Sequence, residues 1–220
     1  MGTVGIADVV SNIRPGETVL LEYTPVSSPE LLLYLLHRAC TRMDIPLLID
    51  DVSDTFPEYI TRLEIAGISV ESLLEVPVIK VGGSRGVGNV VGRVEVDKYS
   101  LDFKYYGEIY EGVIPEKVVC NPVLGIYKLF IARERHEVIR LVRNIATFVG
   151  KKSRFAIYFI NQDAVERRIP EILPLLEETA TTVLRWGVDG GTYRLDVAKA
   201  PSPELPGSRI LVSFRDIRGT

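Results

Sequence analysis

The stretch TVLLEYTPVSSPELLLYLLHRACTR, residues 18–42, decides the fold class. Its first six residues form an apolar run without polar alternation, the pattern of a strand buried on both faces. Residues 29–42 repeat leucine at helical spacing, so they predict a helix. A strand feeding directly into a helix is the unit of an α/β protein, and at that junction many proteins cradle phosphate. A loop of the form G-x-x-x-x-G-K-[ST] needs glycines to turn backbone N–H groups inward, a lysine for the terminal phosphates and a hydroxyl for Mg2+. Thr24, Pro25, Val26, Ser27, Ser28, Pro29 and Glu30 include neither glycine nor lysine. They predict a self-capped helix start instead. Ser27 or Ser28 is the N-cap, Pro29 lies in the first turn, and Glu30 favours the helix dipole and stands at capping-box spacing from Ser27. A triphosphate would meet Glu30 rather than a cation. Each charge-assisted bond lost is worth roughly 1.5–3 kcal/mol, so two would weaken binding about a hundredfold or more.

Outward from this unit the alternation continues. Apolar runs at 46–50, 76–81, 117–121, 154–160 and 181–186 predict strands, and PELLLYLLHRACTR, FPEYITRLEIAG, HEVIRLVRNIATFVG and VERRIPEILPLLEETA predict helices. GTYRLDVAKA and SRILVSF, joined by PSPELPG, predict an antiparallel hairpin at the sheet edge. The expected architecture is one α/β domain over 1–220, a mostly parallel sheet with helices on both faces and a C-terminal hairpin. Hydrophobic residues make up 46% of the 220, enough for a sizeable core. The net charge of −3, from 26 basic and 29 acidic residues, gives no global field for nucleic acid or anionic membrane. No apolar run approaches twenty residues, and the reading is cytoplasmic, without membrane or nucleic-acid partners. One glutamine and five asparagines amid abundant Glu, Lys and Arg fit a hyperthermophile. In such a source a Cys40–Cys120 bridge stays open, although two buried thiols are the simpler expectation.

IRPGETVLLEYTPVSSPELLLYLLHRAC, followed by IPLLIDD and LEIAGISVESLLEVPVIKVGG, resembles the RecA-like ATPases of the KaiC type. KVVCNPVLGIY, RFAIYFINQD, LEETATTVLRW and YRLDVAKAPSPELPGSRILVSF continue the match along most of the chain. The chain also resembles a family of hyperthermophilic archaeal proteins that carries this fold and has no assigned activity. The resemblance implies a three-layer RecA-like fold and a nucleotide site whose parts are degraded. Its phosphate-loop lysine falls on Pro29 and its hydroxyl partner on Glu30. Its Walker B aspartate falls on Asn121, an amide that brings no charge to a hard cation. Of its hairpin Lys-x-Arg element only Lys199 survives.

Other residues keep enzyme readings open. Asp50, Asp51 and Asp54 at a strand end can hold a divalent cation or supply a general base for a metal-dependent hydrolase. The plainer expectation is that Asp54 caps a helix near Thr55 while the other two face solvent. Lys80, Gly82, Gly83, Ser84, Arg85 and Gly86 offer an N–H nest for an anion, the basis of a noncanonical nucleotide site running to Gly88. The plainer expectation here is a turn into an extra strand, since VVGRVEVD alternates. Tyr105, Tyr106, Ile109, Tyr110 and Val113 fall on one side of a helix, either packed or presented to a partner. His37 and His136 lie away from strand ends and predict surface or partly packed positions. Arg133, Arg135, Arg140 and Arg143 interleave with Glu134 and Glu137, as on a solvated helix face. The resulting expectation is a non-catalytic RecA-like domain that regulates or scaffolds through protein partners or self-association. It calls for no cofactor, with Mg-nucleotide as the alternative.

Overall fold

The computed structural model describes residues 5–96, 103–114, 116–214 and 217. Nine strands form one sheet: β1 (Thr18–Tyr23), β2 (Ile49–Val52), β3 (Pro77–Val81), β4 (Asn89–Val94), β5 (Val119–Leu124), β6 (Arg154–Asn161), β7 (Thr182–Asp189), β8 (Thr192–Lys199) and β9 (Arg209–Ser213). Their spatial order is β4-β3-β2-β5-β6-β1-β7-β8-β9. The pairs from β4 to β7 are parallel, and β7, β8 and β9 close the sheet as an antiparallel meander. The unbroken apolar runs are what burial on both faces demands, and all six residues of β1 are buried.

Helices α1 (Ile6–Asn12), α2 (Pro29–Arg42), α3 (Thr55–Ile65) and α4 (Glu71–Leu74) pack on one face, in a core with Leu21, Ile49, Phe159 and Trp186. Helices α5 (Phe103–Val113), α6 (Ile126–Ala132), α7 (Arg135–Thr147), α8 (Gln162–Arg168) and α9 (Ile172–Thr179) cover the other, with Leu20, Ile79, Val123 and Ile160. The architecture is the expected three-layer, mostly parallel α/β fold. The chain leaves β1 for the first face and β6, its hydrogen-bonded neighbour, for the second. Their carboxyl ends therefore flank a crevice of the kind where open α/β sheets bind ligands.

Several expectations need correction. The helix over VERRIPEILPLLEETA is two helices, because Pro170 forces Ile169 out of the helical region (φ −146°, ψ 75°). The tail is three antiparallel strands rather than a hairpin alone, since β7 also pairs with β8. Helices α1 and α6 lack the long leucine periodicity by which the others are legible. Cys40 and Cys120 are both buried free thiols, so no bridge links α2 to β5. Burial, reinforced by the neighbouring Cys40, pushes the Cys120 thiol well above its ordinary range.

Candidate functional site

The junction between β1 and α2, where the KaiC-type resemblance puts a phosphate loop, is closed from within. Pro29 opens the helix, as expected, but neither serine caps it through its side chain. Ser27 is fully buried and turns inward, its Oγ donating to the Thr24 carbonyl at 2.7 Å and its N–H to the same oxygen at 3.1 Å. The expected Ser27–Glu30 capping box is therefore not formed. Ser28 sits in the left-handed region (φ 48°, ψ 67°), at the position directly before the family's lysine, where the loop motif has its second glycine. Such a backbone costs a non-glycine residue about 1 kcal/mol. From β7, Trp186 Nε1 donates to the Ser27 carbonyl at 2.5 Å, and its indole stacks on Tyr193 with ring centroids 5.4 Å apart. A buried indole thus fastens the loop from behind. Glu30, at the place of the Mg2+-binding hydroxyl, is buried 3.6 Å from Arg62 Nη1. Tyr23, Tyr59 and Tyr127 fill the adjacent space, with Tyr23 and Tyr59 hydroxyls 3.4 Å apart and Tyr23 edge-on to Tyr127. Burial raises the Tyr23 and Tyr59 phenols far above their ordinary value, so both stay neutral.

The three aspartates, two in β2 and one in the turn after it, do not converge on one site: Asp51 and Asp54 meet at Lys80, and Asp50 stands apart. Successive strand residues point to opposite faces, so Asp50 faces the α5–α7 side while Asp51 points to the other. Asp51 is buried rather than solvent-facing, and it supplies the cap expected of Asp54: its Oδ1 accepts the Phe56 N–H at 2.8 Å. Its Oδ2 takes Lys80 Nζ at 2.6 Å, and the same ammonium reaches Asp54 Oδ1 at 2.5 Å. Lys80, 1% exposed, is held wholly by this pair. Ser53 and Asp54 both adopt positive φ (52° and 59°), a tight corner that aims the Asp54 carboxylate at the glycine loop. There the Ser84 and Arg85 N–H groups donate to it at 2.9 and 3.0 Å. The nest formed by Gly82, Gly83, Ser84, Arg85 and Gly86 does bind an anion, and the anion is Asp54. Desolvation opposes ionisation of this carboxyl, but Lys80 and the two N–H donors outweigh it and lower its pKa to about 2. Gly83 is required by the contact, because a Cβ there would lie 2.5 Å from Asp54 Oδ1. Beyond the loop β4 follows as an extra strand, as its alternation predicts. Among the described residues no three His, Cys, Asp or Glu side chains are grouped to hold a metal.

Asn121 is buried in β5, its amide donating to the Leu48 carbonyl at 2.7 Å and its Oδ1 accepting from Arg154 Nη1 at 2.6 Å. Asn121 thus braces a buried arginine. Arg154 Nη1 also donates to the Tyr106 hydroxyl at 2.9 Å, which donates to Asp50 Oδ2 at 2.6 Å. The guanidinium lies 4.8 Å from the Tyr110 ring centroid and 4.6 Å from that of Phe148. Burial raises the Asp50 carboxyl to about 6, against the pull of Arg154, Tyr106 and Asn121.

Lys199 is a cap, with Nζ donating to the carbonyls of Glu177, Glu178 and Ala180 at the end of α9. His37 is buried rather than at the surface, and desolvation lowers its pKa. His136 is exposed. Tyr106 and Tyr110 pack inward, whereas Tyr105 leaves the expected face and is 48% exposed. Arg133 lies before α7 and is buried, against the expected solvated face, pairing with Glu137 at 3.7 Å, whereas Arg135, Arg140 and Arg143 are exposed on α7 and Arg135 pairs with Glu171 at 2.6 Å. No described helix is long and apolar enough to cross a membrane.

Two residues that matter here escape a periodicity reading. Trp186 looks like one more apolar strand residue, and Glu22 looks like a blemish in TVLLEY. A carboxylate inside a strand buried on both faces is itself a signal. Glu22 is 2% exposed, its Oε2 accepts from Arg185 Nε at 2.8 Å, and burial raises its pKa to about 7.

Comparison with known proteins places this geometry. Among solved structures, PH0250 from Pyrococcus horikoshii OT3 is 37% identical and superposes with a TM-score of 0.84 over 93% of this chain and 96% of that one. The KaiC-like protein PH0186 of the same organism gives 0.59 at 8% identity, over 89% of this chain and 84% of that one. PH0321, an uncharacterized Pyrococcus horikoshii protein solved in complex with an unknown peptide, gives 0.62 at 17% identity and 87% of each chain. At these identities the last two establish the fold alone, and it is RecA-like. No curated protein matches the chain. The model of the family described as Pyrococcus protein of unknown function, DUF257, matches residues 8–211, and the chain belongs to that family.

Proposed function

We propose that the chain is a RecA/KaiC-like domain that no longer turns over ATP and works by binding protein partners or copies of itself, as a regulatory or scaffold component. The carrying observation is the bond from Trp186 Nε1 to the Ser27 carbonyl, which fastens the loop with Pro29 and Glu30 at the positions of the lysine and hydroxyl. A phosphate loop binds by turning N–H groups inward, and Pro29 has none to turn. The two alternative readings, a noncanonical nucleotide site and a metal-dependent hydrolase, lose their groups to internal pairing: Asp54 occupies the glycine-loop nest, and Lys80 is shared between Asp51 and Asp54. A structural neighbour, the uncharacterized protein PH0321, solved in complex with an unknown peptide, is in keeping with a polypeptide ligand.

The test is thermal unfolding of the full chain with millimolar Mg-ATP or Mg-GTP, in enough urea to bring the transition into range, alongside a phosphate-release assay. A ligand at about 100 times its Kd stabilises by about 2.7 kcal/mol, or about 5–11 °C for a chain of this size. The expected result is no shift and no phosphate release above buffer. A nucleotide-dependent rise of several degrees overturns the proposal.

A further inference from the structure

We propose that the cleft at the carboxyl ends of β1 and β6, beside Arg185 of β7, is a docking site for a basic side chain, an arginine or lysine carried by a partner polypeptide. The proposal rests on the reading of the chain as a binding domain and names the chemistry that domain recognises. The cleft encloses about 600 Å3. It opens where the chain leaves β1 and β6 for opposite faces, on the side away from the closed loop.

Its floor is Glu22. This carboxylate is 2% exposed, and while Oε2 is bound by Arg185, Oε1 has no hydrogen-bond partner. A buried, unpaired carboxylate oxygen is costly and is relieved by a charged donor. Arg185 cannot serve both oxygens, because its other arm is committed to Glu177 Oε1 at 2.7 Å. Glu166 stands at the rim as a third carboxylate with Gln162 beside it. Three carboxylates against one guanidinium leave the cleft with a formal charge of −2 when all are ionised. Lys199 does not alter this balance within the cleft, for its ammonium caps the α9 carbonyls and is absent from the lining. Leu173 and Pro174 supply an apolar wall suited to an alkyl stem. Charged head and apolar stem together describe a lysine or arginine side chain. A phosphate or carboxylate would be repelled by the same three groups.

Reach to Glu22 runs past Arg185, whose side chain is 53% exposed and must give up its bonds to Glu22 and Glu177 to swing outward. The incoming cation then takes Oε1, or exchanges with Arg185 on the carboxylate. The groups facing Glu22 are Arg185 on β7, Glu177 on α9, and Glu166 and Gln162 on α8. Of these only Arg185 is positive. Because burial holds the Glu22 carboxyl near 7, a bound cation must displace its proton, so binding strengthens with pH.

The test is calorimetric titration of the full chain with an end-blocked Ala-Arg-Ala tripeptide, with an Ala-Ala-Ala tripeptide, 1,4-diaminobutane and inorganic phosphate as comparisons. The arginine peptide is expected to bind, about tenfold more tightly at pH 8 than at pH 6, and the alanine peptide and phosphate are not. Glu22→Gln is expected to weaken the peptide at least about tenfold with its circular dichroism unchanged. Should that variant fail to fold, Glu166→Gln at the exposed rim carries the test, with an expected loss of severalfold. No binding of the arginine peptide, equal binding by both variants, stronger binding of phosphate, or binding of the diamine in place of the peptide would each overturn the proposal. A negative result here leaves the absence of nucleotide binding intact. A nucleotide-induced shift in melting temperature would remove the scaffold reading while the cleft still took its cation.

Discussion

Lys80 and Trp186 carry the account at the scale of single residues. Lys80 is a buried ammonium serving two carboxylates, so its removal leaves the buried Asp51 charge without its cation and facing the half-buried Asp54. Lys80→Met is expected to destabilise the chain by about 3–5 kcal/mol, read from the urea midpoint. A change below about 1 kcal/mol would mean that solvent already screens the pair. Trp186→Phe keeps the ring's bulk and deletes the donor to the Ser27 carbonyl. The expected cost is about 1–3 kcal/mol, the range for an unsatisfied buried acceptor. Glu22 gives a pH signature whose sign is fixed. Its folded pKa, about 7, lies above the ordinary 4.5, so the stability present below 4.5 is lost as pH rises through 7. His37, lowered by burial, titrates with the opposite sign, so the difference between wild type and Glu22→Gln isolates the glutamate. Relative to wild type, Glu22→Gln is expected to gain on the order of 2–3 kcal/mol between pH 5 and 8. A difference independent of pH contradicts the assignment.

At the scale of elements, legibility followed the strength of the local pattern. TVLLEY and PELLLYLLHRACTR coincide with β1 and α2 to the residue, because one is uniformly apolar and the other has leucine spacing, Pro29 and flanking turns. VERRIPEILPLLEETA reads as one helix by the same spacing, yet Pro170 breaks it, a case where fixed backbone geometry outranks periodicity. The glycine loop shows the limit of motif reading. Its glycines mark an N–H nest correctly, but only the fold brings Asp54, some thirty residues earlier, to fill it. That pairing predicts the behaviour of Gly83→Ala. The positive φ of 76° and the approach to the Asp54 carboxylate both oppose a methyl group, so about 2 kcal/mol of stability should be lost. An Asp54→Ala background removes the obstacle and should recover part of that loss.

For the whole molecule, the alternation of strands and helices was enough to place the chain among mostly parallel α/β folds, and the resemblance to KaiC-type proteins narrowed it to RecA-like. The departures from the KaiC-type motifs at Pro29, Glu30 and Asn121 are visible in sequence because motifs are local. The contacts that accompany them are not. Trp186 behind Ser27, Arg154 against Asn121, and Lys199 on the end of α9 are contacts between residues 19 to 159 positions apart, which no local pattern encodes. These contacts brace one element of the fold against another. The central claim is that the β1–α2 loop no longer admits a nucleotide. Equilibrium dialysis of the full chain against labelled ATP with millimolar Mg2+ tests it most directly. The account predicts equal label on both sides of the membrane at every protein concentration. Saturable retention of one ATP per chain, reduced by an Asp substitution at the loop such as Ser28→Asp, would contradict it.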